Sequence, residues 1–455
     1  MKKDNLKIML ARLPMDIAYP ESDKLQGFHG APNSGLHIIA KAVKRKVPDA
    51  DIRIYDGYII RMDYLARVIE TWKPDIVGAT DQYPEHHNVL RFLEKGKSEG
   101  ALTLAGGSNA SNVADRMVIN NDFIDGVVKG DGEDVLSDIA LKISHSRDYP
   151  DFRKDIPNLV YFDGEVRENE QKLSSMDILF DFEDMALPNI DTSQAVEIST
   201  VRGCLKAQGT DKCSYCTSGS RYRTMDPDLM WEQVRLLHDK YGYNLFFESG
   251  DTIANEPLLR DLIETRPSEL SDVGFRVYCS PKQMTPEMAE LFREFNVRRL
   301  FLGVESVNDE LLAAANRNYT VETIYSAIEN AKEFPLHIPF LLGFPGETSD
   351  TLKNNLDFAK EIMRYKPETI LLAGSVIPLA GSSLFNQMLE DEMIVIKYSG
   401  DLKKDDLIDY RELVGLYTSF YTDCSIDQVN ETAEKIKSLT KKGNATTWPL
   451  PFYSH

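Results

Sequence analysis

Short apolar segments alternate with amphipathic ones along the chain, and this alternation restricts the fold more than any other feature. Near the amino terminus the apolar segments are LKIMLARL, DIRIYDG, DIVGATDQ, ALTLAGG and DGVVKGDG, and most of them lead into glycine or a polar turn. Between them, GLHIIAKAVKRK, MDYLARVIETW and HNVLRFLEKGKSEG have helical periodicity. Strands that alternate with helices favour a parallel sheet with helices on both faces. We therefore predict an α/β fold in which residues 1–149 form a doubly wound, Rossmann-like domain.

The turns that follow these predicted strands are rich in small residues. Thr80 and Asp81 follow the third strand, Gly106 and Gly107 the fourth, and Gly130 the fifth. Ligands of doubly wound sheets bind at the carboxyl ends of the strands, and small residues allow a ligand to approach the backbone closely. These five residues are therefore the predicted cofactor contacts of the first domain.

A second series of apolar segments begins at residue 196. It contains VEISTVR, YNLFFES, VGFRVYC, RRLFLGVES, HIPFLLG and ETILLAGSVIP, separated by amphipathic segments such as DLMWEQVRLLHDKYG and TLKNNLDFAKEIM. Six such β/α units predict a partial TIM-like barrel, (βα)6, over residues 191–385. Catalysis in barrels of this kind occurs at the carboxyl ends of the strands.

Two regions flank the predicted barrel. Residues 150–190 begin with IPNLVYFDGEVREN, a predicted β-hairpin on the turn Asp163-Gly164, and continue into an acidic, proline-containing segment that we interpret as a linker. Residues 386–455 have helical patterns in LIDYRELVGLYTSFY and SIDQVNETAEKIKSL, which predict a helical cap on the barrel.

Three cysteines, Cys204, Cys213 and Cys216, form the pattern C-x8-C-x2-C after the first strand of the second series. Three thiolates can hold three irons of a 4Fe–4S cluster and leave the fourth iron open to a ligand. A structural zinc site is the alternative, but it usually has four protein ligands, and the nearest downstream histidine, His238, lies in a helical pattern. Five cysteines in 455 residues are too few for a disulfide scaffold. The spacing alone leaves zinc and iron–sulfur open.

The composition argues against several classes of partner. The net charge of −20 disfavours nucleic acid, which needs clustered Lys and Arg, and the tight basic run KAVKRK at residues 41–46 is interpreted as the solvated face of a helix. No run of 18 apolar residues occurs, so no membrane span is expected. The initial segment MKKDNLKIMLARL has no apolar signal region, so we expect a cytoplasmic protein. Because the charge disfavours nucleic acid, a small molecule is the expected substrate.

Several motifs follow the cysteines in order. LFLGVES contains Glu305 after the fourth predicted strand, FLLGFPGET contains Gly343-Phe344-Pro345-Gly346 after the fifth, and VIPLAGSSLF ends the sixth. Together with the cysteines, these motifs resemble the radical SAM superfamily, in the branch with an N-terminal domain of the cobalamin-binding type. That branch usually has R-G-C-x3-C-x2-C, and this chain departs from it by five extra residues between the first two cysteines.

The resemblance implies roles for particular residues. It implies that the three cysteines bind a 4Fe–4S cluster whose open iron binds S-adenosylmethionine (SAM). Glu305 corresponds to the acid that contacts SAM, and residues 343–346 correspond to the motif that flanks its adenine. FFESGDTIANEP corresponds to the loop that binds the SAM amino group, with Glu248 and Asp251 as its polar residues.

In the first domain, WKPDIVGATDQYPEHH, LTLAGGSNAS and FIDGVVKGDGEDVL resemble the cobalamin-like domain of the same branch. Relatives of this domain in other enzymes carry D-x-H-x-x-G, whose histidine ligates cobalt from below. The corresponding residues here are Asp56-Gly57-Tyr58, so cobalamin is expected to bind without a lower histidine ligand. His29, His86 and His87 lie in predicted loops and are interpreted as solvated or capping residues.

The implied chemistry is reductive cleavage of SAM, with an electron from an external donor such as flavodoxin or ferredoxin. The implied reaction is cobalamin-dependent methylation of carbon or phosphorus in a small metabolite. The subgroup that methylates phosphorus in phosphinothricin-type biosynthesis also has an unusual cysteine spacing, although the motifs matched here are those of the branch. Two alternatives stay open. One is transfer of the 3-amino-3-carboxypropyl group of SAM to an acceptor such as arsenite without cobalamin, and the other is a non-catalytic cobalamin or SAM sensor.

Two cysteines remain, Cys279 and Cys424, which are too few to bind a second cluster. Cys279 ends the predicted strand VGFRVYC and is the candidate for a direct catalytic role, although a buried cysteine usually serves packing. The eight residues LKAQGTDK between Cys204 and Cys213 must loop out, and we expect Lys206, Asp211 or Lys212 to face the cluster or the substrate.

Overall fold

The computed structural model describes residues 5–15, 32–56, 61–145, 152–187, 191–208, 211–219, 221–250 and 253–440. The chain divides into two compact units. The N-terminal unit contains Met1–Asp191 and Lys404–Leu407, and the C-terminal unit contains Thr192–Lys403 and Ile408–His455. Among the described residues, no helix combines the length and the apolar character that crossing a membrane requires.

The N-terminal unit is built on a seven-stranded sheet. Its strands are β1 (Lys7–Arg12), β2 (Asp51–Asp56), β3 (Ile76–Thr80), β4 (Leu102–Gly106), β5 (Gly126–Val128), β6 (Leu159–Phe162) and β7 (Val166–Glu168). Its helices are α1 (Ser34–Lys46), α2 (Met62–Trp72), α3 (His86–Ser98), α4 (Ser108–Asn112), α5 (Ala114–Asn120) and α6 (Glu133–His145). The short helices α4 and α5 were not expected from the sequence.

The strand order is β2-β1-β3-β4-β5-β6-β7, and the first five strands are parallel. Helices cover both faces: Ile76 belongs to a core cluster with residues of α1 and α6, whereas Val77 packs against Gly96 of α3. The predicted doubly wound sheet is therefore confirmed. The order 2-1-3-4-5 has its switch point between β1 and β3, where sheets of this type bind ligands. The predicted hairpin, β6 and β7, extends the sheet with antiparallel strands.

The structure adds contacts between α1 and the acidic segment that was interpreted as a linker. The basic run on α1 is solvated only in part, because Lys41 and Lys44 pair with this segment while Arg45 and Lys46 are exposed. Lys41 Nζ lies 2.6 Å from Asp181 Oδ1, and Lys44 pairs with Asp184. His37 of the same helix packs edge-on against Phe182, with ring centroids 4.9 Å apart. Residues 177–184 are therefore a packed part of the unit.

The C-terminal unit contains a six-stranded parallel sheet in the order β15-β14-β13-β12-β11-β8. Its strands are β8 (Val196–Ile198), β11 (Leu245–Glu248), β12 (Gly274–Cys279), β13 (Val297–Leu302), β14 (Leu336–Leu342) and β15 (Ile370–Ser375), with a small antiparallel pair of β9 (Val201–Arg202) and β10 (Arg223–Thr224). Its helices are α7 (Pro227–Tyr241), α8 (Glu256–Glu264), α9 (Pro286–Glu294), α10 (Asp309–Ala314), α11 (Val321–Asn330), α12 (Ser349–Tyr365), α13 (Ser383–Glu390), α14 (Glu392–Lys397), α15 (Tyr410–Tyr421) and α16 (Ile426–Ser438).

Strands that follow chain order across a parallel sheet and alternate with helices form the predicted barrel-like architecture, and its helical C-terminal region is also present. Local signals fix the helix ends: α7 has Asp226 as its N-cap, Pro227 at its first position and Gly242 in the left-handed conformation at its end. The predicted first strand is broken, since β9 turns away after β8 to pair with β10. This turn carries the chain directly into Cys204.

One face of this sheet packs against helices through aromatic side chains. The rings of Phe246 and Phe275 lie 6.0 Å apart, and Phe275 meets Trp231 of α7 at 5.8 Å and Phe295 at 4.2 Å. On β14, Phe340 packs against Phe358 of α12 at 6.3 Å. We call this the outer face of the sheet. Alternation along a strand sends every second side chain to the opposite, inner face.

Candidate active site

The cysteine loop begins where the small β9–β10 pair ends. Cys204 follows Gly203, which has a φ of +81° that favours glycine. Cys213 and Cys216 sit on one turn, in which the Cys216 amide donates to the Cys213 carbonyl at 3.1 Å. All three thiols are half-buried and outside any disulfide. Among the described residues, no three His, Cys, Asp or Glu side chains converge on one metal ion. In a cubane cluster each thiolate binds its own iron, so the sulfurs need not meet at a single point.

Two basic side chains contact the sulfur of Cys213. Arg317 Nη1 donates to Cys213 Sγ at 3.2 Å, and Lys206 Nζ lies 3.6 Å from the same sulfur. Lys206 also donates to the Asn316 carbonyl, and Asn316 Nδ2 donates to the carbonyl of Lys212, in the same loop as Lys206, at 2.7 Å. Positively charged donors stabilise a negatively charged sulfur. The loop of extra residues therefore brings a cation to one predicted cluster ligand.

Arg317 connects Cys213 to a buried carboxylate. Its Nη2 lies 2.9 Å from Glu305 Oε1, and the two side chains are 13% and 4% exposed, respectively. Its Nε donates to the Tyr319 hydroxyl at 2.9 Å, and that hydroxyl donates to the Gly303 carbonyl at 2.7 Å. Burial raises the pKa of Glu305, although the charge of Arg317 opposes this shift. The sequence did not single out Arg317. The sequence did place an acid, Glu305, at the end of a buried strand, and a buried acid needs a cationic partner, but the sequence did not indicate which residue that partner is.

Glu305 has a strained backbone and an unused oxygen. Its φ is +63°, a left-handed conformation that costs a non-glycine residue about 1–3 kcal/mol and is common at functional sites. Its amide donates to the Pro339 carbonyl at 3.1 Å, and its carbonyl accepts from Leu341 at 2.9 Å. Its Oε2 is buried and has no hydrogen-bond partner among the described residues. Such an atom suits a ligand that brings its own N–H or O–H group.

The turn after β14 packs beside the cysteine loop. Gly343 and Gly346 have φ of +95° and +86°, and the Gly343 amide donates to Glu347 Oε2 at 2.9 Å. Phe344 is fully buried, and its ring centroid lies 5.5 Å from that of Tyr215, the aromatic residue before Cys216. Pro345 is half-buried at the tip of the turn. The structure thus brings residues 343–346 and the cysteine turn together, as the resemblance implies.

Glu248 accepts hydrogen bonds from backbone amides near β9. Both of its oxygens accept from the Thr200 amide at 3.0 Å, and Oε1 also accepts from the Gly250 amide at 3.0 Å. Burial raises the pKa of Glu248 to about 7, although these hydrogen bonds oppose the shift. The carboxyl group therefore positions the turn that leads into Cys204. Asp251, its predicted partner in SAM binding, lies outside the described residues.

Cys279 is next to this group of residues through its backbone, since its carbonyl accepts from the Gly303 amide at 3.0 Å, but its side chain is on the outer face of the sheet. It alternates with Phe275 and Val277 on the outer face, is 5% exposed, and donates from its thiol to the Ser280 carbonyl at 3.3 Å. Burial raises the pKa of the Cys279 thiol far above its ordinary value, which disfavours the reactive thiolate. The geometry indicates packing as its role.

In the N-terminal unit, the predicted cofactor contacts differ in their surroundings. Gly107 has a φ of +101°, and a Cβ there would lie 2.7 Å from the Asp81 carbonyl, so close packing requires glycine. Gly106 lies beside Val128 at the same edge, and Thr80 ends β3 next to Gly106. Gly130 has a φ of +90° and open space around its Cβ position. Gly130 is therefore the glycine of this edge that a ligand can approach.

Asp81 and His86 form a buried polar cluster. Asp81 Oδ2 lies 2.8 Å from His86 Nδ1 and 3.0 Å from Asn109 Nδ2, and Asp406 Oδ2 lies 3.4 Å from His86 Nε2. His86 is therefore not a solvated or capping residue, whereas His87 is exposed and His29 lies outside the described residues. Burial alone would lower the pKa of His86, but the two carboxylates outweigh it and raise the pKa to about 10.

Replacing His86 with glutamine is expected to destabilise the N-terminal unit by about 3–5 kcal/mol near pH 6.5, because Asp81 and Asp406 would stay buried without a cation. A histidine whose pKa is raised in the folded state contributes its full stabilisation to folding below its unfolded pKa of about 6.5. This contribution is lost as the pH rises towards 10. Urea unfolding measured from pH 6 to 10 should therefore show a smaller difference between the two proteins at high pH. His87→Gln is the exposed control, and a pH-independent difference for H86Q would contradict the charged pair.

Part of the chain matches a known protein family. Residues 198–359 match the radical SAM superfamily model. The chain is 24% identical over 409 residues to an uncharacterised methyltransferase of Pyrococcus horikoshii, covering 86% of this chain and 84% of that protein.

Two solved structures share the fold of most of the chain. The radical SAM methyltransferase TsrM from Kitasatospora setae, with cobalamin and a 4Fe–4S cluster bound, superposes with a TM-score of 0.64 at 18% identity, over 84% of this chain and 75% of TsrM. The cobalamin-dependent SAM radical enzyme OxsB, with aqua-cobalamin and SAM bound, gives a TM-score of 0.62 at 16% identity, over 87% of this chain and 56% of OxsB. With the cysteine loop and the motifs beside it, the family match identifies a radical SAM domain at residues 198–359 of this chain.

Proposed function

We propose that this protein is a radical SAM methyltransferase that binds a 4Fe–4S cluster through Cys204, Cys213 and Cys216 and transfers a methyl group through cobalamin to a small metabolite. The observation that carries the proposal is the contact of Arg317 with both Cys213 and Glu305. One cation thus joins a proposed cluster ligand to a buried acid, Glu305, whose Oε2 has no hydrogen-bond partner in the described part of the chain.

The residues of this site suit SAM. Its ribose hydroxyls and its ammonium group are donors that Glu305 Oε2 can accept in charge-assisted hydrogen bonds. Arg317 holds the other Glu305 oxygen and so keeps the carboxyl group in place. When bound, the cluster supplies the electron that cleaves a C–S bond of SAM. Packing of Tyr215 against Phe344 fixes the cysteine turn beside the position proposed for the adenine.

Three observations support cobalamin in the N-terminal unit. The structures of TsrM and OxsB contain cobalamin, the sheet has the 2-1-3-4-5 order, and Gly130 leaves open space at the carboxyl edge. Asp56 is followed by Gly57 and Tyr58, so no histidine from this position binds cobalt from below. The acceptor atom that we propose is carbon or phosphorus.

We also propose that an external flavodoxin or ferredoxin delivers the electron in the cytoplasm. The two cysteines outside the loop, Cys279 and Cys424, are buried and too few for a second cluster that could relay electrons internally. Cysteine thiolates bind iron only where thiols stay reduced, and the cytoplasm is such a compartment.

Anaerobic reconstitution with iron and sulfide tests the proposal. We expect about four irons per chain, an electron paramagnetic resonance signal of the reduced cluster that changes when SAM is added, and formation of 5′-deoxyadenosine. Added cobalamin should co-purify with the protein and show its visible spectrum. If SAM does not change the cluster signal, the proposed enzymatic function is wrong. If the protein cleaves SAM but binds no cobalamin, the proposed methyl-transfer route is wrong.

A further inference from the structure

The inner face of the barrel sheet is accessible to solvent where the outer face is not. On β11, Phe247 is half-exposed while its neighbours Phe246 and Glu248 are buried. On β12, Arg276 and Tyr278 are half-exposed while the residues that alternate with them are buried. A closed barrel would fill this interior with packed side chains. The partial barrel instead leaves its inner face open on these two strands.

Two arginines meet on this inner face. Arg276 of β12 and Arg299 of β13 are register partners on adjacent parallel strands, so their side chains project to the same side. Arg299 Nη1 lies 3.0 Å from Nε2 of His337 on β14, so the imidazole accepts this hydrogen bond and is neutral. Burial, followed by the charge of Arg299, lowers the pKa of Arg276 to about 10. His337 therefore adds no positive charge beside the two arginines.

Aromatic side chains continue the inner face towards the carboxyl ends of the strands. Phe301 and Tyr278 are register partners, with ring centroids 4.8 Å apart in an edge-on arrangement, and Tyr278 meets Phe247 at 5.4 Å. Glu197 of β8 occupies the arginine row beyond Phe247, and its Oε1 accepts from the Ser249 hydroxyl at 2.9 Å. The inner face therefore has two adjacent arginines at one level of the sheet and two adjacent aromatic rings, Tyr278 and Phe301, at the next level towards the carboxyl ends.

Adjacent, partly desolvated guanidinium groups repel each other, and an anion between them offsets that repulsion. Arginine is also the side chain best suited to carboxylate and phosphoryl groups, because its planar fork binds two oxygens at once. Arg276 lies three residues before the end of β12, which corresponds to about 10 Å along the strand from the edge that carries the cysteine loop. This depth is suited to a substrate that reaches into the barrel below SAM.

We infer that Arg276 and Arg299 form a binding site for the anionic group, carboxylate or phosphoryl, of the substrate. The inference rests on the proposed function, since it supplies that reaction with a class of acceptor: a small anionic metabolite whose remaining part lies against Phe247, Tyr278 and Phe301. Binding in this place holds the anionic end deep in the barrel and directs the other end to the site of SAM cleavage.

The test uses inorganic phosphate and acetate as probes on the reconstituted full chain, at constant ionic strength set with chloride. At least one anion should raise the midpoint of thermal unfolding with a saturable dependence. Arg276→Met and Arg299→Met should weaken that binding at least about tenfold, as expected for loss of a charge-assisted hydrogen bond. Arg364→Met is the control, since Arg364 is an exposed arginine in the last turn of α12 and is not part of the barrel sheet. Stabilisation by phosphate alone identifies a phosphoryl substrate, and by acetate alone a carboxylate.

Absence of saturable stabilisation by either anion, or an equal loss in the Arg364→Met variant, would overturn the inference. Arg299→Lys keeps the charge and covers the case in which the methionine variants fail to fold; it should retain weaker anion binding. The response of the cluster signal to SAM is measured on every variant. If that response is preserved while anion binding is absent from the wild type, the substrate class is wrong and the proposed function stands. If the wild-type cluster does not respond to SAM, the proposed function itself fails.

Discussion

Alanine at Cys204, Cys213 or Cys216 is expected to remove the iron–sulfur cluster and, with it, all measurable cleavage of SAM. Each thiolate is proposed to bind a different iron, so the loss of one leaves a cubane with two protein ligands and an exposed edge. Iron and acid-labile sulfide per chain, together with the absorbance of the reconstituted protein, measure the effect. We expect each single variant to hold only a small fraction of the wild-type iron.

The two buried cysteines provide the matched controls for this prediction. Cys279→Ala and Cys424→Ala also remove one thiol each, from positions that are 5% and 7% exposed. They should bind iron as the wild type does and cost about 1 kcal/mol of stability through lost packing. Full iron content in the C213A protein, or an equal loss in C279A, would contradict the proposed ligand set. Loss of SAM cleavage in C279A with the cluster intact would restore a catalytic role for Cys279.

Replacing Arg317 with methionine is expected to destabilise the C-terminal unit by about 3–5 kcal/mol, because Glu305 would remain buried without its cation. The same change removes a donor from Cys213, so SAM should perturb the cluster signal less in this variant. Urea unfolding of the apoprotein measures the first effect without interference from the cluster. Lys206→Met is a useful comparison, since it removes the other cation near Cys213 without touching Glu305.

A double substitution separates the buried charge from other effects of the Arg317 change. Glu305→Gln removes the carboxylate that Arg317 neutralises, so the double variant R317M/E305Q should recover much of the stability lost in R317M alone. It should not recover the response to SAM, because both proposed contacts are then absent. A double variant that is as unstable as the sum of its two single variants would show that the pair is not coupled.

The architecture could be predicted because it depends on local patterns. Apolar segments of strand length separated by amphipathic helices have few ways to bury their apolar faces, and both parallel sheets follow from that constraint. The short helices α4 and α5 escaped prediction because they have only five and seven residues, too few for a helical repeat of apolar residues to stand out. Asn109 of α4 takes its place through a hydrogen bond to Asp81, 28 residues away along the chain.

Contacts between charged residues could not be predicted from the sequence. The basic run on α1 and the acidic segment at residues 177–184 each have the composition of a solvated surface, yet they pair with each other. His86 likewise has the sequence context of a loop residue, and its partner Asp406 is 320 residues away. A local sequence pattern indicates the polarity of a side chain, but it does not identify the partner that neutralises its charge in the fold.

By itself, the sequence determined the order of strands and helices, the two sheets, and the cysteine loop with the motifs beside it. These features follow from hydrophobic periodicity, turn residues and fixed spacing, which act over a few residues. Only the tertiary structure decided that Arg317 lies between Cys213 and Glu305, that Glu248 serves the backbone, and that Arg276 and Arg299 share a face. Such placements depend on how distant segments pack, because a buried polar group is stable only beside a complementary partner that the fold brings to it.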